Sequence, residues 1–499
     1  MSLAIVNTRA RVGIDAPLVT CEVHLSGGLP SFAIVGLPEM AVRESRERVR
    51  SALLNSGFEF PARRITVNLA PADLPKEGGR YDLAIAVGIL VASGQLKGDN
   101  LAEYEFLAEL ALSGDLRPVQ GVLPVAIACQ AVSRRLWIMA ENAAEAALVG
   151  GLEILKADTL LQVCGHLNGA ALISGVKQGR QALAMPDYPD LQDVKGQYQA
   201  KRSLEIAAAG AHNILLSGPP GSGKSMLASR LPGILPPLEP NELMEIAAVY
   251  SVSGVNHPYL ISGARPFRNP HHTASAVALV GGGSTPRPGE ISLAHQGVLF
   301  LDELPEFSRQ VLEVLREPLE SGRINISRAA QQVSFPARFQ LIAAMNPCPC
   351  GFYNDNTGRC RCSPDQIRRY QAKISGPLLD RIDLQSWVPA LPPEQLMSVD
   401  NQAESSTAIR QRVIKARAVQ LKRQGVVNHV LTVGDLDKYC NLGQSEKRLL
   451  NQAMQQMVMS ARAAHRILKI SRTIADLASE AEVRREHLLE AIGFRSMTQ

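Results

Sequence analysis

Asn213-Ile214-Leu215-Leu216-Ser217-Gly218-Pro219-Pro220-Gly221-Ser222-Gly223-Lys224-Ser225 is the stretch on which the fold turns. An apolar strand runs to Ser217, a Gly-x4-Gly-Lys-Ser loop follows, and a helix opens directly after it. Glycines in such a loop let backbone N–H groups wrap phosphate oxygens, while a lysine at 224 reaches terminal phosphates and a hydroxyl at 225 ligates magnesium. Gly218, Pro219, Pro220, Gly221, Ser222, Gly223, Lys224 and Ser225 are therefore the expected ATP contacts. The competing reading is a Gly-Pro turn between two core elements.

Downstream, Gly297-Val298-Leu299-Phe300-Leu301-Asp302-Glu303 is an apolar run that ends in two carboxylates. Asp302 suits a magnesium ion held partly through water, and Glu303 suits orienting or deprotonating an attacking water. A buried Asp-Glu pair at a strand end is costly without a cation. Another apolar run, Phe339–Met345, ends at Asn346, whose amide can bond that water or the γ-phosphate. Short buried strands with polar C-terminal ends, separated by helices, predict a parallel sheet carrying its ligand at the carboxyl edge.

The 499 residues exceed one ordinary hydrophobic core and predict about three domains. Residues 1–174 mix alternating runs (Leu18–Leu25, Arg64–Leu69, Leu136–Ile138) with helical ones (Met40–Ser56, Leu83–Ala92, Pro124–Ala131), so they form an α/β domain. A polar, proline-containing stretch at 175–190 reads as a linker. The nucleotide-binding core occupies 191–388, and 389–499 reads as a helical module with helices at Ser406–Gln424, Ser445–Ile470 and Arg484–Ile492.

The chain is 46% hydrophobic and carries a net charge of +5, and the absence of a long apolar run argues against a membrane span. Without a signal-type N-terminus, a cytoplasmic protein is expected. From Arg410 onward there are 16 Lys/Arg against 8 Asp/Glu, so this segment carries +8 and the rest −3. Such asymmetry fits a polyanionic partner, with solvated helix faces as the alternative.

Four of eight cysteines cluster at Cys348, Cys350, Cys360 and Cys362. In a reducing compartment that clustering suits tetrahedral zinc better than disulfides, although Cys-x-Cys is tighter than the usual zinc spacing. Pro347, Pro349 and Gly351 read as a rigid turn presenting two sulfurs. Four protein ligands would leave no open position, so the site is expected to be structural. Between Glu303 and Asn346, the segment Ser321–Pro336 reads as a β-hairpin, two alternating strands around a polar turn.

Several longer motifs accompany these: Arg265-Pro266-Phe267-Arg268-Asn269-Pro270-His271-His272-Thr273, Gly281-Gly282-Gly283, Pro288-Gly289-Glu290-Ile291, Asn346-Pro347-Cys348-Pro349-Cys350-Gly351 and Gly376-Pro377-Leu378-Leu379-Asp380-Arg381-Ile382-Asp383. Together with the loop at 218–225 and the run 297–305, they resemble the magnesium-chelatase-like AAA+ ATPases of the ComM/YifB family over essentially the whole chain. The resemblance implies a homo-hexameric ring motor of the helicase type, acting on single-stranded and branched DNA. The implied role is to drive branch migration when DNA taken up in natural transformation is recombined, with a recombinase as a possible partner.

On that resemblance, Gly218–Ser225 is the Walker A loop, Asp302 and Glu303 are Walker B, and Asn346 is sensor 1. Arg381 matches the arginine finger that reaches a neighbouring subunit's γ-phosphate; a salt bridge with Asp380 or Asp383 is the plainer alternative. Arg462 is favoured as sensor 2, with Arg466 one helical turn behind it on the same face. The hairpin matches a pore insert whose Arg323 and Arg328 would grip DNA phosphates, unless it is an ordinary edge hairpin. The loop Gly281–Arg287 resembles a second pore insert, and 389–499 a helical lid.

The N-terminal domain resembles the Lon protease fold, but Arg80 and Leu123 stand where the Ser-Lys dyad would be. Without a lysine-activated hydroxyl, an ATP-dependent protease is disfavoured. A protein-remodelling motor of the metal-chelatase type is the remaining alternative to the DNA motor.

Overall fold

The computed structural model describes residues 3–176, 186–255, 263–283, 286–328, 331–355, 358–392, 394, 403–457 and 459–495. The expected linker at 175–190, the loop at 281–287, the hairpin segment at 321–336 and the start of the helical module at 389 lie partly outside those residues, as do the side chains of Arg328 and Gln331. Among the described residues, no helix is long and apolar enough to cross a membrane.

The chain divides into two compact units: Met1–Leu183 with Leu243–His257 and Ala329–Phe335, and Ala184–Glu242 with Pro258–Arg328 and Pro336–Gln499. The first is built on a seven-stranded mixed sheet in the order Ser31–Val35, Arg64–Ala70, Leu18–Ser26, Leu3–Arg9, Tyr104–Leu107, Arg135–Met139 and Ile154–Ala157. Alternation sets its inner face: along Leu18–Ser26, Val19, Cys21, Val23 and Leu25 are buried while intervening residues are not. Helix Asp82–Ala92 is apolar all round after its first residue and buried along its whole length. Its buried Asp82 is kept tolerable by Arg48, whose Nε donates to Oδ2 at 2.7 Å. The single helix expected over Met40–Ser56 is interrupted at Glu44, giving Met40–Arg43 and Ser45–Asn55.

The second unit carries a wholly parallel five-stranded sheet in the order Phe267–Arg268, Val298–Leu301, Gln340–Met345, Ile214–Ser217 and Leu384–Trp387. Registers Ser217↔Met345 and Leu301↔Ala343 place the ends of three strands side by side, so the residues that follow them share one edge. The C-terminal helices pack into the core of this same unit. Ile409, Val413, Ile467, Ile470 and Leu488 lie in one buried cluster with Ile214, Leu216, Phe300 and Ile342.

The stretch expected as one helix at Ser445–Ile470 is two, Gln444–Gln456 and Ala461–Leu477. Ser460 starts the second by accepting the Ala463 N–H at 3.2 Å. Segments Arg323–Arg328 and Gln331–Pro336 form a two-stranded sheet, matching the expected hairpin strands.

Candidate functional site

The strand Ile214–Ser217 delivers the chain into a loop that turns back at Gly223, whose φ of +93° is a conformation that glycine adopts without a Cβ penalty. Lys224 begins the next helix and points its ammonium back across the loop. Nζ donates to the carbonyls of Gly218 at 2.8 Å and Pro219 at 2.9 Å, and to Asn346 Oδ1 at 3.2 Å. Burial pushes its pKa below the ordinary lysine value, against the opposing pull of Asp302 and Glu303. Ser225 Oγ donates to Asp302 Oδ2 at 2.6 Å.

Pro220, Gly221, Ser222, Gly223, Lys224, Ser225, Asp302, Glu303 and Asn346 thus line one cavity of about 370 Å³. The donor set fits the expected ligands. A hydroxyl beside a carboxylate makes an oxygen pair for a hard cation, and the buried Ser222 Oγ has no partner among the described residues, which suits it to meet a phosphate oxygen.

Glu303 adopts a left-handed conformation, φ +52° and ψ 46°, rare for a residue with a Cβ and typical of sites held in place by their surroundings. Its carboxylate Oε2 lies 3.2 Å from His272 Nδ1. Sequence reading assigned His272 no role; the paired histidines at 271–272 were the available signal, but only the fold brings that loop to the end of the Val298–Leu301 strand.

Arg381 and Arg462 lie outside this cavity. They line a separate one of about 180 Å³ with Arg466, Lys469, Glu320 and Asp380. Arg381 pairs with Glu320, rather than with Asp380 or Asp383, and its Nη1 donates to the Pro377 carbonyl at 2.7 Å, leaving its buried Nε unpartnered among the described residues. Arg466 is tied to Asp383, whereas Arg462 is exposed. Asp383 also bonds His429 Nδ1 at 2.7 Å and His212 Nδ1 at 3.3 Å. Burial alone would raise the pKa of Asp383, but His429, His212 and Arg466 outweigh it and hold the carboxyl well below its usual range. Burial pushes His212 down.

Several arginines of the basic C-terminal segment are committed internally. Arg412 pairs with Glu205 and Glu404, Arg417 donates to the Ala208 carbonyl, and Arg423 and Arg472 share the buried Asp476. These arginines anchor helices, a structural use of the charge. On the hairpin, Arg323 is exposed with Asn325 and Ser327, while Ile324 and Ile326 face inward.

Cys348, Cys350, Cys360 and Cys362 form one cluster able to hold a metal, with all four sulfurs within 4.8 Å of one another. The two positions expected to lack a protease dyad are both buried: Arg80 Nη2 donates to the Gln120 carbonyl at 2.6 Å, and Leu123 is in the interior.

Comparison with known proteins matches residues 190–396 to "Magnesium chelatase, subunit ChlI", residues 21–143 to "Subunit ChlI of Mg-chelatase", and residues 403–495 to "Magnesium chelatase, subunit ChlI C-terminal". Competence protein ComM of Haemophilus influenzae is 52% identical over 503 residues, covering 100% of this chain and 98% of its own. The uncharacterized YifB proteins of Salmonella typhimurium and Escherichia coli are 51% and 49% identical, each again covering 100% of this chain and 98% of their own. With a parallel sheet that gathers the phosphate loop, both carboxylates and Asn346 at one edge, the chain belongs to the magnesium-chelatase-like ComM/YifB family.

Proposed function

We propose that this chain is the subunit of an ATP-driven ring motor, a hexamer of the AAA+ type, that translocates on DNA and promotes branch migration during recombination of DNA taken up in competence. The observation that carries the ring is the separation of Arg381 and Arg462 from the cavity of Lys224 and Glu303. A cation that stabilises charge on a transferred phosphoryl group must approach it, and here it would do so from a neighbouring subunit. The name of the Haemophilus relative supports competence as the setting.

Bound magnesium would neutralise charge that develops on the phosphates. Ser225 and Asp302 are the residues that would hold it, Lys224 would bind the terminal phosphates, and Ser222 would add a hydroxyl to the loop. Glu303 would orient and deprotonate the attacking water, and Asn346 would fix that water opposite the phosphate. Arg323 and Arg328 would contact DNA phosphates, a sequence-independent and salt-sensitive grip. The helices at 403–495 would act as the lid, and residues 1–174 as a Lon-like scaffold without protease chemistry.

The test is ATP turnover by the full-length protein with no DNA, with single strands and with branched DNA, alongside its oligomeric mass in ATP. Stimulation by DNA in a six-subunit species supports the motor. Turnover indifferent to every DNA form favours the protein-remodelling reading, which the magnesium-chelatase likeness across the chain keeps in view.

A further inference from the structure

Around a zinc ion with four sulfurs at about 2.3 Å, tetrahedral geometry sets every sulfur–sulfur separation near 3.8 Å. The Cys348, Cys350 and Cys360 sulfurs lie 3.3, 3.7 and 3.9 Å apart, and the Cys362 sulfur is within 4.8 Å of all of them. These four cysteines are free, and the separations are too long for disulfides.

The cluster is also joined to the nucleotide cavity. Gly351, φ +85°, passes so close to the phosphate loop that a Cβ there would lie 2.6 Å from Pro220 Cδ, with Asn346 Cγ at 3.8 Å. On the other side, Ser363 follows Cys362 and caps the helix Pro364–Gln371. That helix reaches back: Gln371 Nε2 donates to the Pro347 carbonyl at 3.1 Å. The two Cys-x-Cys pairs are thus the ends of a loop that closes on Pro220 and Asn346.

We propose that Cys348, Cys350, Cys360 and Cys362 hold one structural zinc ion, and that this zinc braces Pro220 and Asn346 in the geometry that binds nucleotide. The four thiolates leave no position for water, so the metal performs no hydrolysis. Its role is mechanical: it pins two loop ends whose neighbours form one wall of the nucleotide cavity. The bracing rests on the nucleotide reading of that cavity, whereas the zinc site does not.

Metal content of the full-length protein, purified reduced and without chelator, tests the first half. One zinc per chain is expected, and cobalt(II) exchanged into it should give the visible absorption of a tetrahedral tetrathiolate. Zinc below about a tenth of an equivalent with four freely reactive thiols overturns the site, and one equivalent of iron overturns the metal's identity.

Equilibrium binding of a fluorescent ATP analogue tests the second half. A Cys360→Ser/Cys362→Ser double variant should lose zinc and bind nucleotide about tenfold or more weakly. Gly351→Ala should keep its zinc yet weaken nucleotide binding about fivefold or more, because its Cβ meets Pro220. It decides the matter if the double variant does not fold. Wild-type affinity in folded zinc-free protein or in zinc-loaded Gly351→Ala overturns the bracing, while failure of the wild type to bind nucleotide counts against the cavity's assignment instead.

Discussion

His272 Nδ1 lies 3.2 Å from Glu303 Oε2, and Glu303 is the residue whose backbone is left-handed at the end of the Val298–Leu301 strand. The contact holds the carboxylate toward the His272 loop and away from a free choice of rotamers. Removing it releases Glu303 to meet water. His272→Ala should therefore raise DNA-independent ATP turnover, by up to about tenfold for the loss of a contact worth about 1.4 kcal/mol. Unchanged basal turnover, measured beside the wild type, would show that the contact does not restrain the carboxylate.

Lys224 and Glu303 line the same cavity but should fail differently. Lys224→Ala removes the cation that meets the phosphates, so nucleotide binding and turnover are both lost. Glu303→Gln preserves shape and binding but removes the base, so turnover falls by about a hundredfold or more with affinity retained. Equilibrium binding and single-turnover hydrolysis separate the two.

Arg381, Arg462 and Arg466 share a cavity yet differ in what they hold. Arg381→Ala and Arg462→Ala should suppress turnover with little change in Tm. Arg466→Ala leaves the buried Asp383 short of a partner and should cost about 2–3 kcal/mol, seen as a lowered Tm. Mixing Arg381→Ala with Lys224→Ala subunits should restore part of the turnover, since some interfaces would then combine a wild-type loop with a wild-type arginine. No recovery in mixed oligomers would place Arg381 outside the reaction.

Acid should loosen the second unit in two stages. His212 has a folded pKa below its unfolded one, so the unfolded chain takes up the proton first and stability falls as pH drops below about 6.5. Asp383 is also depressed, so its contribution is complete above about pH 3.9 and disappears as pH falls from there toward its folded pKa. Thermal melts between pH 7 and 3 should show both losses, and Asp383→Asn should flatten the lower one. An unchanged slope below pH 4 in that variant would assign it to other carboxylates.

Arg323 is the exposed cation of the hairpin whose side chain is described. If it meets a phosphate, Arg323→Ala should weaken DNA binding uniformly across sequences and reduce the slope of log K against log salt by about one. Titrations at three salt concentrations suffice, and an unaltered slope would leave the hairpin without that contact.

Local chemistry made the nucleotide site readable. Gly-x4-Gly-Lys-Ser after an apolar strand, and Asp302-Glu303 and Asn346 at the ends of others, are signals in which neighbouring residues carry the meaning, and the fold places them in one cavity. Clustering of the cysteines was readable for the same reason. Helix interruptions at Glu44 and Ser460 were not, because capping by Ser460 competes with apolar periodicity that runs straight through it.

The sequence by itself determined the parallel α/β unit, its phosphate loop and its carboxylates, since strand ends and loops are specified by residues a few positions apart. Tertiary structure alone decided the rest. It joined His272 to Glu303, Gly351 to Pro220, and Arg381 to Glu320, and it placed Arg466 on Asp383 rather than in solvent. It also tied Arg412 to Glu205 and Arg423 to Asp476. Each of these joins residues roughly thirty to more than two hundred positions apart, and which partner a charge or a glycine meets at that range is set by how the strands and helices pack, information that no local pattern contains.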